Sequence, residues 1–113
     1  MTQAKPKWHL FLDDMRIPPE DNMPSKTVRP FWTLAQSTAE AIELVKAKGM
    51  PDLMSLDHDL GGEDKSLHFL RWLSDEFWDG KETIPAYFVH SANPVGARNI
   101  MSFMDSWKRS QGL

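Results

Sequence analysis

The chain carries 113 residues, 41% of them hydrophobic and 26% charged, with a formal net charge of −3 and no cysteine. That length suits a single domain with one core spanning residues 1–113, and the absence of cysteine excludes disulfides and thiolate metal sites. The acidic balance excludes a general duplex-binding surface, and no apolar run reaches the roughly 20 residues that would span a bilayer. The first residues, Met-Thr-Gln-Ala-Lys-Pro-Lys, lack the apolar centre of a signal peptide, so a cytoplasmic, non-membrane protein is expected.

Residues 8–13 (Trp-His-Leu-Phe-Leu-Asp) form a nearly unbroken apolar run, the pattern of a strand covered on both faces. Pro18, Pro19, Pro24 and Pro30 break the next stretch, which reads as a long ordered loop over residues 15–30. Residues 31–36 can form a second strand. Ser37 or Thr38 then caps a helix running to about Lys48, with Glu40 in its first turn and Gly49 just beyond its end. Pro51 resets the chain into a third strand over residues 53–57, and Gly61-Gly62-Glu63-Asp64 is a turn. A second helix is expected over about residues 65–78, with Leu67, Leu70, Leu73 and Phe77 at helical spacing and Gly80 as its stop. Residues 84–90 make a fourth strand. Asn93-Pro94 starts a last helix that buries Ile100, Phe103, Met104 and Trp107. Strands alternating with helices imply right-handed crossovers and a mostly parallel four-stranded sheet flanked by helices in three layers.

Three of these strands end in reactive side chains. The first runs into Asp13-Asp14-Met15-Arg16, the third into Asp57-His58-Asp59 and the fourth into His90-Ser91-Ala92-Asn93. Parallel neighbours would bring these ends to one sheet edge, where open α/β sheets bind their ligands. Adjacent carboxylates resist burial unless a cation or an arginine offsets them. Asp13 and Asp14, completed by Asp57, therefore read as a Mg²⁺ or Mn²⁺ site, as carboxylates tied to Arg16, or as loop caps. His58 and His90 can exchange protons near neutral pH and so could serve as base and acid in phosphodiester cleavage; the alternative is that each holds a neighbouring carboxylate. His9 and His68 read as structural. The helix start at Asn93-Pro94-Val95-Gly96 offers an anion site, with Ser91 and Asn93 as donors, Gly96 allowing close approach, and Arg98 in the first turn. Arg16 could clamp a phosphate in a planar fork. Gly61-Gly62 could admit a ligand from the other side.

In outline the chain resembles the response-regulator receiver, truncated, or a flavodoxin-like fold. Asp13-Asp14 looks like the receiver acidic pair, Asp57 like the phosphoacceptor and Ser91 like the hydroxyl residue after the fourth strand. It departs from that pattern in the proline-rich stretch where a receiver has its first helix, and in having no fifth strand with its lysine. A closer likeness is to the cyclic-phosphate-processing receiver family. The motifs are Leu-Asp-Asp-x-Arg-x-Pro at Leu12 to Pro18, Leu-Asp-His-Asp-Leu at Leu56 to Leu60, and His-Ser-x-Asn-Pro-x-Gly at His90 to Gly96. This resemblance implies a single receiver-like domain of bacterial or phage type that handles cyclic phosphates.

Three functions follow as expectations. The first is a phosphoesterase acting on a 2′,3′-cyclic phosphate end or a cyclic nucleotide. In it Asp13, Asp14 and Asp57 hold the metal; His58, His90, Asp57 and Asp59 do the chemistry; and Arg16, Ser91, Asn93, Gly96 and Arg98 bind phosphate. The second is a module that sequesters a cyclic nucleotide intact, and the third a phosphoacceptor receiver using Asp57, against which the absent lysine counts. The expected partner is a small phosphorylated ligand. Exposed sheet edges allow a homodimer.

Overall fold

In chain order the elements are β1 (His9–Leu12), β2 (Thr33–Ala35), α1 (Thr38–Lys48), β3 (Leu53–Leu56), α2 (Ser66–Glu76), β4 (Ala86–Val89) and α3 (Pro94–Ser110). They come from a computed structural model that describes residues 8–15, 32–77 and 82–112. The expected proline-rich loop from residue 16 onward, with Arg16, and the expected end of the second helix at Trp78 and Gly80 lie outside the described residues. All strand pairs are parallel and the order is β2-β1-β3-β4, so β2 and β4 are the edges among the described residues.

The register decides which side chains share a face. Leu10 lies level with Thr33, Met54 and Tyr87, and Leu12 with Ala35, Leu56 and Val89. This face meets Ala41 and Val45 of α1, Phe69, Leu70 and Leu73 of α2, and Ile100, Met104 and Trp107 of α3 in one apolar core. The helices touch in series, α1 to α2 and α2 to α3, because the crossovers through α1 and α2 return on the same side of the sheet. The described residues thus form the sheet and one helical layer. His9, Phe11, Leu53, Ser55 and Phe88 alternate onto the opposite face, where no described helix packs.

Local chemistry sets the helix ends. Ser37 rather than Thr38 caps α1: its hydroxyl accepts from the Glu40 N–H at 3.1 Å, while the Glu40 carboxylate reaches back to the Gln36 N–H. Gly49 closes the helix at a φ of +88°, a conformation that favours glycine. The Thr38 N–H and hydroxyl donate instead to the two oxygens of Asp64, at 2.9 and 2.7 Å, tying α1 to the loop before α2. Burial pushes the Asp64 pKa up, but hydrogen bonds from Thr38, His68 and the Lys65 backbone outweigh it and hold it below the ordinary value of 3.8. Stability from this carboxylate is therefore complete above pH 3.8 and is lost as pH falls through its lowered native pKa. Asp64→Ala is expected to cost about 1–2 kcal/mol at pH 6. In urea melts this deficit should shrink toward pH 3, and a deficit independent of pH would refute the charge-based account.

The connections place the site. After β1 the chain turns to β2 on one side, and after β3 it turns to β4 on the other. The two exits diverge and leave a crevice at the carboxyl ends of β1 and β3, the switch point at which doubly wound sheets take ligands. The fold is the receiver or flavodoxin-like α/β arrangement that the resemblance implies, and its parallel sheet is the one expected from the alternation of elements.

Candidate functional site

The sheet ladder runs one bond beyond each strand. Asp13 N–H donates to Ala35, Asp57 N–H to Leu12 and His90 N–H to Leu56, at 3.0, 2.9 and 2.9 Å. The last strand residues are level, so Asp13, Asp57 and His90 emerge side by side. Asp13, Asp14 and Asp57 each offer a carboxylate oxygen within 4.8 Å of the others, a set that could hold a metal ion. Three hard oxygen donors suit a hard divalent cation.

Asp13 is completely buried, yet both its oxygens are satisfied. One accepts from the Met15 N–H at 2.9 Å, the other from His90 Nε2 at 2.8 Å. The His90 Nδ1 meets the Ser55 hydroxyl at 2.7 Å, and Phe11 stacks on the imidazole with ring centroids 4.8 Å apart. Both ring nitrogens of His90 are therefore engaged inside the protein, in an arrangement that orients Asp13. Ser55 was not singled out by motif. The available signal was a lone hydroxyl within the apolar strand Leu-Met-Ser-Leu, since a buried polar group needs a partner.

Asp57 turns one oxygen to the His58 N–H at 2.8 Å, and its carbonyl accepts from the buried Ser66 hydroxyl. His58 itself is buried, 6% exposed, with Nδ1 donating to the exposed Asp59 carboxylate at 3.2 Å. Its ring lies on the first turn of α3. A Cβ on Gly96 would sit 2.3 Å from His58 Cγ and 2.5 Å from Nδ1, so only glycine fits there. The bare face of Gly96 is occupied by the imidazole, which corrects the expectation that it admits a phosphate.

The helix start is corrected in the same way. The Asn93 side-chain oxygen accepts from the N–H groups of Val95 and Gly96, both at 3.1 Å, and Pro94 has no N–H to give. Those donors are taken up by the Asn93 cap of their own helix and are not held out to an anion. Ser91 Oγ accepts from the Asn93 N–H at 3.0 Å, which leaves its own hydrogen to donate elsewhere. Arg98 is exposed and does not line the crevice, because two residues beyond the buried Gly96 is the far side of the helix.

The open crevice, about 420 Å³, is walled by Asp14, Asp57, Asp59, Gly61, Ser91 and Asn93, among others. Gly61, at a φ of +91°, lets the loop pass so close that a Cβ would lie 3.1 Å from Asp14 Oδ2. Among the described residues no lysine or arginine lines the crevice. Arg16, the candidate clamp, lies outside them. No described helix is long and apolar enough to cross a membrane.

A solved chain described as the yeast Spc42 trimeric coiled coil, amino acids 181–211, fused to another structure, superposes with a TM-score of 0.56 at 20% identity. The match covers 90% of this chain and 66% of that one, and the likeness is one of fold. No curated protein matches the chain. The family model described as the cyclic-phosphate processing receiver domain matches residues 8–106, a span that holds the Asp13-Asp14 pair, Asp57-His58-Asp59 and the segment from His90 to Gly96. On that match, the chain belongs to the cyclic-phosphate processing receiver domain family.

Proposed function

We propose that the chain is a phosphoesterase that opens cyclic phosphates, either 2′,3′-cyclic ends or cyclic nucleotides, in the crevice at the carboxyl ends of β1 and β3. The observation that carries this reading is the carboxylate set Asp13, Asp14 and Asp57 at the switch point, in a chain of the cyclic-phosphate processing family. These three would hold Mg²⁺ or Mn²⁺, which when bound neutralises phosphate charge and polarises a phosphoryl oxygen. Ser91 donates its hydroxyl hydrogen and Asn93 its amide hydrogens to phosphate oxygens, and Arg16 is assigned the clamp on its place in the Asp-Asp-Met-Arg motif.

Asp59 is the crevice carboxylate with a histidine behind it. It takes a proton from the attacking water, while the His58 Nδ1–H steadies its orientation. Water oxygen adds to phosphorus, one P–O ester bond breaks and the leaving oxygen takes a proton from solvent, giving a monoester. His90 holds Asp13, and Gly96 seats His58. In this assignment each histidine acts through a carboxylate, His90 through Asp13 and His58 through Asp59, which is the alternative to the base-and-acid pair.

The test is turnover of a panel of 2′,3′-cyclic mononucleotides, cyclic mononucleotides and cyclic dinucleotides, followed by ³¹P NMR with and without added Mg²⁺ or Mn²⁺. A chelator is expected to lower turnover by at least about 100-fold, since the three carboxylates that wall the crevice, Asp14, Asp57 and Asp59, repel phosphate until a cation offsets them. Turnover that persists in chelator would refute the carboxylate-cation arrangement. The engagement of both His90 nitrogens favours a second reading, a module that binds the ligand without cutting it. Ligand recovered intact after denaturation of the complex would establish that reading against the first.

A further inference from the structure

We infer that Ser55 is a positioning residue for the cation site, fixing where the His90 ring sits and, through it, the orientation of Asp13. The inference deepens the carboxylate site proposed above, and it depends on cation binding there but not on turnover. Ser55 is the one polar residue of β3 and is 6% exposed. Its hydroxyl lies 2.7 Å from His90 Nδ1, and His90 Nε2 lies 2.8 Å from Asp13 Oδ2. These contacts span 35 and 77 residues of sequence, so the fold alone assembles the relay.

The donor order follows from chemistry. An ionised carboxylate only accepts, so the hydrogen between His90 and Asp13 belongs to Nε2. In the neutral imidazole Nδ1 then carries a lone pair, and the Ser55 hydroxyl donates to it. The competing tautomer, with its hydrogen on Nδ1, would set two lone pairs against each other at Asp13, so the carboxylate fixes the tautomer and the hydroxyl, donating to Nδ1, fixes the position of the ring. The ring plane is held independently by Phe11, 14° from parallel. With Met15 N–H on the other oxygen, the Asp13 carboxylate is held at both ends, with an oxygen within 4.8 Å of oxygens of Asp14 and Asp57. Asp13 is fully buried, so water cannot substitute for these partners as it can at the half-buried Asp14 and Asp57. Groups that orient a metal ligand in this way typically govern affinity by about 10–100-fold.

The experiment is titration of the whole chain with Mn²⁺ and Mg²⁺ by calorimetry, with the His90 ring nitrogens observed by ¹⁵N NMR. Ser55→Ala is expected to weaken Mn²⁺ binding about tenfold and to shift the Nδ1 resonance, as its hydrogen bond from the hydroxyl is lost, with the hydrogen still on Nε2, and Ser55→Thr to restore both. His90→Gln keeps an N–H for Asp13 but has no Nδ1. In that background Ser55→Ala should change affinity by less than about twofold, which a merely structural serine would not do. Unchanged affinity in Ser55→Ala, an equal loss in the His90→Gln background, or a wild-type chain that binds neither ion overturns the inference. A chain that shows this coupling yet opens no cyclic phosphate refutes the phosphoesterase reading and leaves the relay standing.

Discussion

Gly96→Ala is expected to destabilise the protein by about 1–3 kcal/mol, against the direction of helix propensity. At an ordinary helical position alanine exceeds glycine by about 1 kcal/mol, and Gly96 is in the first turn of α3 with no positive φ to protect. Sterics decide the outcome. The added methyl would lie 2.3 Å from His58 Cγ, the root of the ring and not the tip of a flexible chain, so the whole imidazole must leave its pocket. Leaving breaks the Nδ1 contact to Asp59 and exposes a side chain that is now 6% exposed. A His58→Ala background removes the obstacle. There, Gly96→Ala should become neutral or stabilising by up to about 1 kcal/mol, a reversal of sign that a thermodynamic cycle from urea melts would reveal. If alanine costs the same in both backgrounds, the glycine is needed for something other than the histidine.

That pairing also marks what a linear sequence can convey. The strands, the capped helix starts and the gathering of Asp13, Asp14 and Asp57 were legible, because apolar runs, Asn-Pro and strand-end acids are local signals and parallel order follows from alternation. The role of the α3 start was partly legible and was given to the wrong partner. An asparagine at the cap position ordinarily turns its oxygen on its own helix N–H groups, and Asn93 does so. Arg98 could have been placed by counting helical turns from Gly96 once the buried face of α3 was known. The Ser55–His90–Asp13 relay was not legible, since it joins three strands through side chains far apart in sequence. The seat of His58 on Gly96 was hidden for the same reason.

Neutralising single acids of the cluster should separate ligands from supports. Asp14→Asn and Asp57→Asn each remove one of three carboxylates whose oxygens lie within 4.8 Å of one another, in a crevice with no cationic side chain among the described residues. Without added metal both variants are expected to melt higher than the parent, by about 1 kcal/mol, the scale of like charges at this separation near a surface. Asp57→Asn also keeps an oxygen to accept the His58 N–H. Asp13→Ala should behave oppositely in the same buffer. It strands the Met15 N–H and His90 Nε2–H beside a fully buried position and is expected to cost about 2–3 kcal/mol. Added Mn²⁺ should unite the three. At 100 times its dissociation constant a ligand stabilises the parent by about 2.7 kcal/mol, and each variant should lose nearly all of that gain. Thermal melts of the four proteins with and without Mn²⁺ measure both effects. Aspartates that merely cap loops would show the reverse pattern: Asp14→Asn and Asp57→Asn would melt lower without metal, and the parent would gain nothing from it.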